Sequence, residues 1–203
     1  MHYQTIPSQE IIEKTAKALQ ANGIAVVIAE NRAEAKKKAL ELLPQNAEVM
    51  NMTSVTLDTI GVAKIINESP EYNSVRNKLM AMKRETQGVE MQKLGAAPEW
   101  AVGSVHAVTE DGHVLIASNS GSQLPGYVYG SAHVIWVVGA QKIVKDTDSG
   151  IKRIYDYTLP LESERAHKAY GVPGSAVNKL VIINKEVTPN RLTMILVKEV
   201  LGF

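Results

Sequence analysis

Residues 24–52 read IAVVIAENRAEAKKKALELLPQNAEVMNM, and this stretch decides the fold. Its first six residues, 24–29, are apolar throughout, the pattern of a short strand covered on both faces by helices. Asn31 and Glu34 then stand at capping-box spacing, with Asn in place of the usual Ser or Thr. Ala35, Ala39, Leu42 and Leu43 recur at helical intervals until Pro44 helps to stop the run. AEVMNM, residues 47–52, is the next strand. A strand, a helix and a strand in succession imply parallel strands joined by right-handed crossovers.

The same alternation extends in both directions. Upstream, Ile11, Ile12, Thr15, Ala16 and Leu19 share one helical face after a cap at Ser8, and Asn22-Gly23 ends that helix. Downstream, Thr53-Ser54 precedes a helical stripe of Val55, Val62, Ala63 and Ile66. Val75, Leu79 and Met82 predict a helix within 71–94, running on to Gln87-Gly88 and beyond. AVGSVHAV and HVLIAS, joined by TEDG with Asp111-Gly112 at the tip, read as two strands of a hairpin. HVIWVVG, residues 133–139, is a central strand, and 149–170 is mainly helical with an interruption at Leu159-Pro160. LVIINKE and RLTMILVKE flank Val-Thr-Pro-Asn and suggest a terminal hairpin, with Pro189 outside the ladder. No repeat or linker divides the chain. The expectation is a single α/β domain over 1–203, with a mixed, mostly parallel sheet, helices on both faces and a C-terminal hairpin.

Composition removes several classes of function. Twenty-two basic residues against twenty-one acidic ones leave a formal charge of +1 over 203 residues, which offers no field for gripping nucleic acid. Lys36, Lys37 and Lys38 form the basic run, beside Glu34 and Glu41 on a solvated helix face. The chain has no cysteine, which excludes disulfides, thiolate zinc and cysteine-held iron–sulfur clusters within it. MHYQTIPSQE resembles no secretion signal and no stretch approaches a membrane span, so the expected address is the cytoplasm.

Candidate chemistry collects where strands end. Thr53, Ser54 and Thr56 stand where a strand hands over to a helix N-terminus, a place that suits an anion, although capping alone also explains them. SNSGSQ, comprising Ser118, Asn119, Ser120, Gly121, Ser122 and Gln123, is a small polar loop that would let a ligand approach the backbone, although an ordinary loop also has this composition. Gly139, Gln141 and Lys142 end the 133–139 strand, and the Lys142 ammonium can point across the carboxyl edge of the sheet, the ligand side of open α/β folds. His106, His113 and His133 lie in strand patterns without metal-ligand spacing, so no metal site is assigned. Glu162, Glu164 and Arg165, and likewise Ser175, Asn178 and Lys179, either line a cleft or serve the surface and turns. No serine sits in a nucleophile elbow and no Ser-His-Asp set can be assigned, which disfavours covalent hydrolysis. No nicotinamide or flavin fingerprint accompanies the strands, and no resident cofactor is expected.

MTSVTLDTIG, SVHAVTEDGHVLIASNSGSQLP, YGSAHVIWVVGAQKIVKD and IKRIYDYTLPLESERA together resemble the LUD domain, the lactate-utilisation protein C group, in order over roughly residues 10–200. That resemblance implies a fold like the ribose-5-phosphate isomerase, glucosamine-6-phosphate deaminase and CoA-transferase group. It also implies work beside iron–sulfur proteins in lactate oxidation to pyruvate. In the isomerases, a turn at the place of Thr53, Ser54 and Thr56 binds phosphate, and a lysine after a strand matches Lys142. The glycines of the phosphate turn are missing here, and SNSGSQ stands near the acidic catalytic loop without a carboxylate.

Two functions follow. The first is an accessory protein of lactate utilisation that binds an anionic small molecule, docks to an iron–sulfur oxidoreductase, or does both. The second is an independent enzyme for a phosphorylated, folate-like or CoA-linked substrate. A homo-oligomer is compatible with either, and the sequence does not decide whether the chain is an enzyme.

Overall fold

The computed structural model describes residues 3–203. The chain begins with α1 (Gln9–Ala21), β1 (Ala25–Ala29), α2 (Arg32–Glu41) and β2 (Glu48–Asn51). It continues through α3 (Val55–Ile60), α4 (Val62–Glu68), β3 (Asn73–Ser74), α5 (Val75–Ala81) and α6 (Arg84–Ala96). β4 (Trp100–Gly103), β5 (Ala107–Thr109), β6 (Val114–Ser118), β7 (His133–Gly139) and β8 (Ile143–Val144) follow. Last come α7 (Thr147–Arg153), α8 (Leu159–Tyr170), β9 (Lys179–Ile183) and β10 (Leu192–Val197).

The helix starts obey local chemistry. Ser8, Asn31 and Ser54 each accept the third following backbone N–H with their side chains, and Glu34 reaches back to the N–H of Glu30. Gly61, in the left-handed region at φ 75°, separates α3 from α4 where the sequence suggests one stripe. The helix expected across 71–94 is likewise divided, because Met82 is extended and Gln87 departs from helical geometry.

Six strands form a parallel sheet in the order β1-β10-β7-β4-β2-β3. β7 is central, as its sequence suggests, and alternation along it and β10 feeds two cores. Ile135, Val137, Ile195 and Val197 pack under α2, α3 and α4 with Ala35, Leu57 and Ile66. Val134, Trp136, Val138, Met194 and Leu196 face the other way, toward α1 and a second sheet. Each such Val, Leu or Ile contributes about 1.5–3 kcal/mol by leaving water. β1 departs from its sequence reading: it is an edge strand and mostly half-exposed, so its apolar run does not mark burial on both faces.

The second sheet has the order β8-β5-β6-β9 and is covered outside by α7 and the π-helical turn after it, around Ala107, Leu115 and Ile154. The expected C-terminal hairpin is overturned here. β9 pairs antiparallel with β6 in the small sheet, whereas β10 enters the large sheet between β1 and β7. Each finds an apolar partner elsewhere, and the Pro189 segment passes between the two sheets rather than turning a hairpin. The face of the large sheet opposite α2–α4 is also filled more by this second sheet than by helices.

AVGSVHAV is the other revision. It is two strands, β4 in the large sheet and β5 in the small one, with Ser104–His106 crossing between them. β7 makes the same passage through a 3-10 turn at Ala140–Lys142 into β8, which pairs with β5. Two parallel strands therefore change sheets side by side.

Candidate functional site

Both crossings lie at the carboxyl end of the large sheet, the edge at which open α/β folds present ligand groups. A cleft of about 280 Å³ opens there, with walls from the end of β2, the β4–β5 crossing, the loop after β6, α5 and α8. Thr53, Ser54, Thr56, Ser118, Asn119, Ser120, Ser122, Gln123 and Lys142 line it. Gly121, Gly139 and Gln141 do not belong to its wall. Gln141 is buried and instead binds the C-terminal tail: its Nε2 donates to the Leu201 and Gly202 carbonyls, and its Oε1 accepts from the Leu201 N–H. Gly139 abuts the same tail, its place for a Cβ filled by Gln141 Oε1 and the Leu201 nitrogen.

Lys142 forms the floor. Its side chain is 2% exposed, and Nζ lies 3.1 Å from Ser104 Oγ, 3.1 Å from the Val105 carbonyl and 3.4 Å from Thr56 Oγ1. None of these is a carboxylate. Burial, then the nearby Arg153 guanidinium, lowers its pKa to about 7.

Arg153 lies behind the floor, fully buried, donating to the His106 carbonyl and to Thr158 Oγ1 at 3.0 Å. Among the described residues, its Nε and Nη2 have no hydrogen-bond partner, and its charge rests on the Tyr157 and Tyr3 rings at 5.2 and 6.0 Å. Burial lowers it to about 10 against the opposing effect of those tyrosines.

His106, half-buried on the wall, accepts the Ala117 N–H at Nδ1, 3.1 Å away. The ring proton of the neutral form therefore sits on Nε2. Burial first, then Lys142 and Arg153, lowers its pKa to about 3, so the ring is neutral across physiological pH.

The mouth carries more charge. Arg76 on α5 donates to the Asn51 carbonyl and to Thr53 Oγ1 at 2.8 Å. Arg165 holds Glu162 bidentately at 2.7 Å through Nε and Nη2 and lies over the Tyr170 ring. Glu164, by contrast, pairs with Lys168 on the surface. Ser118 Oγ donates to Gln123 Oε1 and accepts the Gly121 N–H, so half of the polar loop is tied to itself. Ser54 acts as the cap of α3, and Asn178 donates to Asn119. Ser175 joins the wall as well.

Among the described residues, no three His, Asp or Glu side chains gather where a metal ion could be held, and no helix is long and apolar enough to cross a membrane. No motif in the sequence singles out Ser104, Arg76 or Arg153, and His106 reads there as a structural histidine in preference to a metal ligand. A serine inside an apparent strand and lone arginines in helices carry no local sign of burial. The polar residue that breaks the apolar run at Ser104 was the available signal.

The LUD domain family profile matches residues 12–197. A crystal structure of a DUF162 family protein from Deinococcus radiodurans has a similar fold, with a TM-score of 0.58 at 13% sequence identity, covering 94% of this chain and 99% of that one. No curated protein sequence matches. A family profile spanning nearly the whole chain, on an α/β fold shared with a DUF162 protein, places this protein in the LUD domain family.

Proposed function

We propose that the cleft binds a small anionic metabolite, a carboxylate or phosphate, and that this binding serves the lactate-utilisation role of the family in the cytoplasm. The observation that carries this reading is the charge balance of the wall. Among the side chains of the wall, Arg76, Lys142 and Arg165 stand against Glu162, and Glu162 is already neutralised by Arg165. Lys142 and Arg76 are left without a carboxylate, and Arg153 adds a third uncompensated cation behind the floor. An anion entering a half-desolvated site of this sign recovers part of the cost of burying those charges. A volume of about 280 Å³ suits a small molecule rather than a large cofactor.

A thermal-shift series tests the reading with lactate, pyruvate, sugar phosphates, folates and CoA esters, each paired with a neutral amide or alcohol analogue. A ligand at about 100 times its Kd stabilises the native state by about 2.7 kcal/mol. Anions that shift the melting temperature while their neutral analogues do not support the proposal. Equal shifts from both, or none from any anion, overturn it. Docking to an iron–sulfur oxidoreductase rests on the family alone, and co-elution with a cysteine-rich partner is its test.

A further inference from the structure

We propose that Ser104 and Lys142 are a nucleophile and general-base pair, and that the cleft carries out acyl transfer on a small ester or thioester whose acyl group bears an anionic tail. The proposal rests on the cleft being the ligand site and adds a reaction to it.

The hydrogen bonds around Lys142 Nζ assign the roles. The Val105 carbonyl is an acceptor only. Thr56 Oγ1 donates its own proton to the Leu201 carbonyl, so toward Lys142 it is an acceptor too. A neutral amine has two N–H bonds, and these two neighbours take both. Its lone pair is left for the third neighbour, Ser104 Oγ, at 3.1 Å, within reach of proton transfer. Among the described residues, the Ser104 hydroxyl has no other hydrogen-bond partner, and it lines the cleft. Behind it the Tyr127 hydroxyl donates to the Ser104 carbonyl at 3.5 Å. Gly103 makes this possible, since a Cβ there would collide with the Tyr127 hydroxyl.

The surroundings favour the neutral amine. The charged and titratable groups around Lys142 are Arg153 on α7, neutral His106 on the crossing, Arg76 on α5 across the cleft, the mutually paired Glu162 and Arg165 on α8, the Tyr127 and Tyr170 hydroxyls, and the terminal residue Phe203 on the cleft wall. Three are cations and the one side-chain carboxylate is already taken. An amine poised near neutral pH is a competent base at physiological pH. Such a base needs neither a nucleophile elbow nor an Asp-His relay. His106 supplies a third part, because its Nε2–H on the cleft wall belongs to a ring fixed as neutral by the Ala117 N–H.

The steps balance. Ser104 Oγ bonds to the acyl carbon while Lys142 takes the hydroxyl proton, and the developing oxyanion accepts the His106 Nε2–H. The bond from the acyl carbon to the leaving oxygen or sulfur then breaks, and the leaving group takes the proton from Lys142. Water next attacks the Ser104 ester and gives a proton to Lys142. Collapse releases the carboxylic acid, which loses its remaining proton to solvent, and Lys142 returns its proton to Ser104.

The test uses the full chain with a fluorophosphonate probe and with p-nitrophenyl succinate, followed by intact mass and peptide mapping. One probe adduct is expected on Ser104. It should be absent in Ser104→Ala and form about 100-fold or more slowly in Lys142→Met, in line with loss of a general base. The wild-type labelling rate should rise through pH of about 7 and then level, a profile that decides the matter even if Lys142→Met does not fold. An adduct on another residue, unaltered labelling of Ser104→Ala, or no inflexion near neutral pH overturns the pair. Anion-induced thermal shifts in Ser104→Ala separate the two readings. Shifts without labelling of the wild type remove the reaction and leave anion binding, whereas labelling without shifts removes the anionic specificity and with it this proposal.

Discussion

Arg191 and Lys142 are both buried cations, at opposite ends of the large sheet, and they are held in opposite ways. Arg191, at the amino end of β10, is 6% exposed and compensated on every side. Its Nε donates to the Ser131 carbonyl, its Nη1 pairs with Glu186 at 2.7 Å, and its Nη2 donates to the Gly126 and Tyr127 carbonyls. Although burial opposes it, hydrogen bonds from the Thr188 N–H and from Arg191 keep the Glu186 carboxyl below its usual range. Lys142 at the carboxyl end meets two hydroxyls and one carbonyl. A compensated charge ties segments of chain together; an uncompensated one is a vacancy for an anion or a source of reactivity. Burial by itself does not separate the two cases.

The most direct way to break this comparison is Arg191→Met. It leaves Glu186 buried without its cation and takes a donor from three carbonyls, of which Gly126 keeps the Ser131 N–H, so unfolding free energy should fall by about 3–5 kcal/mol in denaturant titration. A loss under about 1 kcal/mol would mean the pair is not structural.

Lys142→Met should show the reverse pattern. Affinity for whichever anion emerges from the thermal-shift series should fall about 10- to 100-fold, the value of one ion-assisted hydrogen bond, while ligand-free stability at neutral pH holds or rises, because Met does not carry the cost of burying an ammonium. A large loss of stability without ligand would make Lys142 a structural residue like Arg191.

Gln141→Ala sharpens the contrast at the neighbouring residue. It strips buried partners from Leu201 and Gly202, so stability should drop by about 1–3 kcal/mol, with a smaller effect on anion affinity than Lys142→Met. Isothermal titration beside denaturation distinguishes the two.

The most gradual effect is the slope of stability with pH. Lys142 has a folded pKa near 7 against 10.5 for the free side chain, so between those values the unfolded chain binds the proton and the folded chain does not. Stability from this group therefore rises across that window, by at most about 1.4 kcal/mol per pH unit, and is lowest below it. The wild type should gain on Lys142→Met between pH 7 and 10. His106, lowered to about 3 from 6.5, adds a rise of the same sign in the acid range.

Much of the large sheet was legible because its signals are local. HVIWVVG alternates between two cores and is buried on both sides, and Ser8, Asn31 and Ser54 are caps that act within one turn. Lys142 stood out as a charge where a buried strand ends. The change of sheet at Ser104–His106 was not legible, since apolar residues continue on either side of it and an exchange of hydrogen-bonding partner leaves no trace in the pattern. The separate destinations of β9 and β10 were hidden for a related reason: proximity in sequence favours a hairpin, and only the distant partners β6, β1 and β7 decide otherwise. Arg153 reads as an ordinary helical surface charge until the π-helical turn Ile154–Thr158 and the small sheet close over it.

The paired crossings have a consequence for how this architecture tolerates change. Three residues separate β4 from β5, and three separate β7 from β8. One inserted residue in the first crossing would reverse the faces of β5, turning Val108 away from the main core toward the side where Ala107 packs. There Gly150 of α7 comes so near that even a Cβ on it would lie 3.4 Å from the Ala107 Cβ, and a valine cannot be accommodated. Relatives with this cleft should therefore keep both crossings fixed in length, and should vary in length instead at the exposed 119–122 loop. Diversification of the site by length is confined to insertion at its rim, because its floor admits no such change.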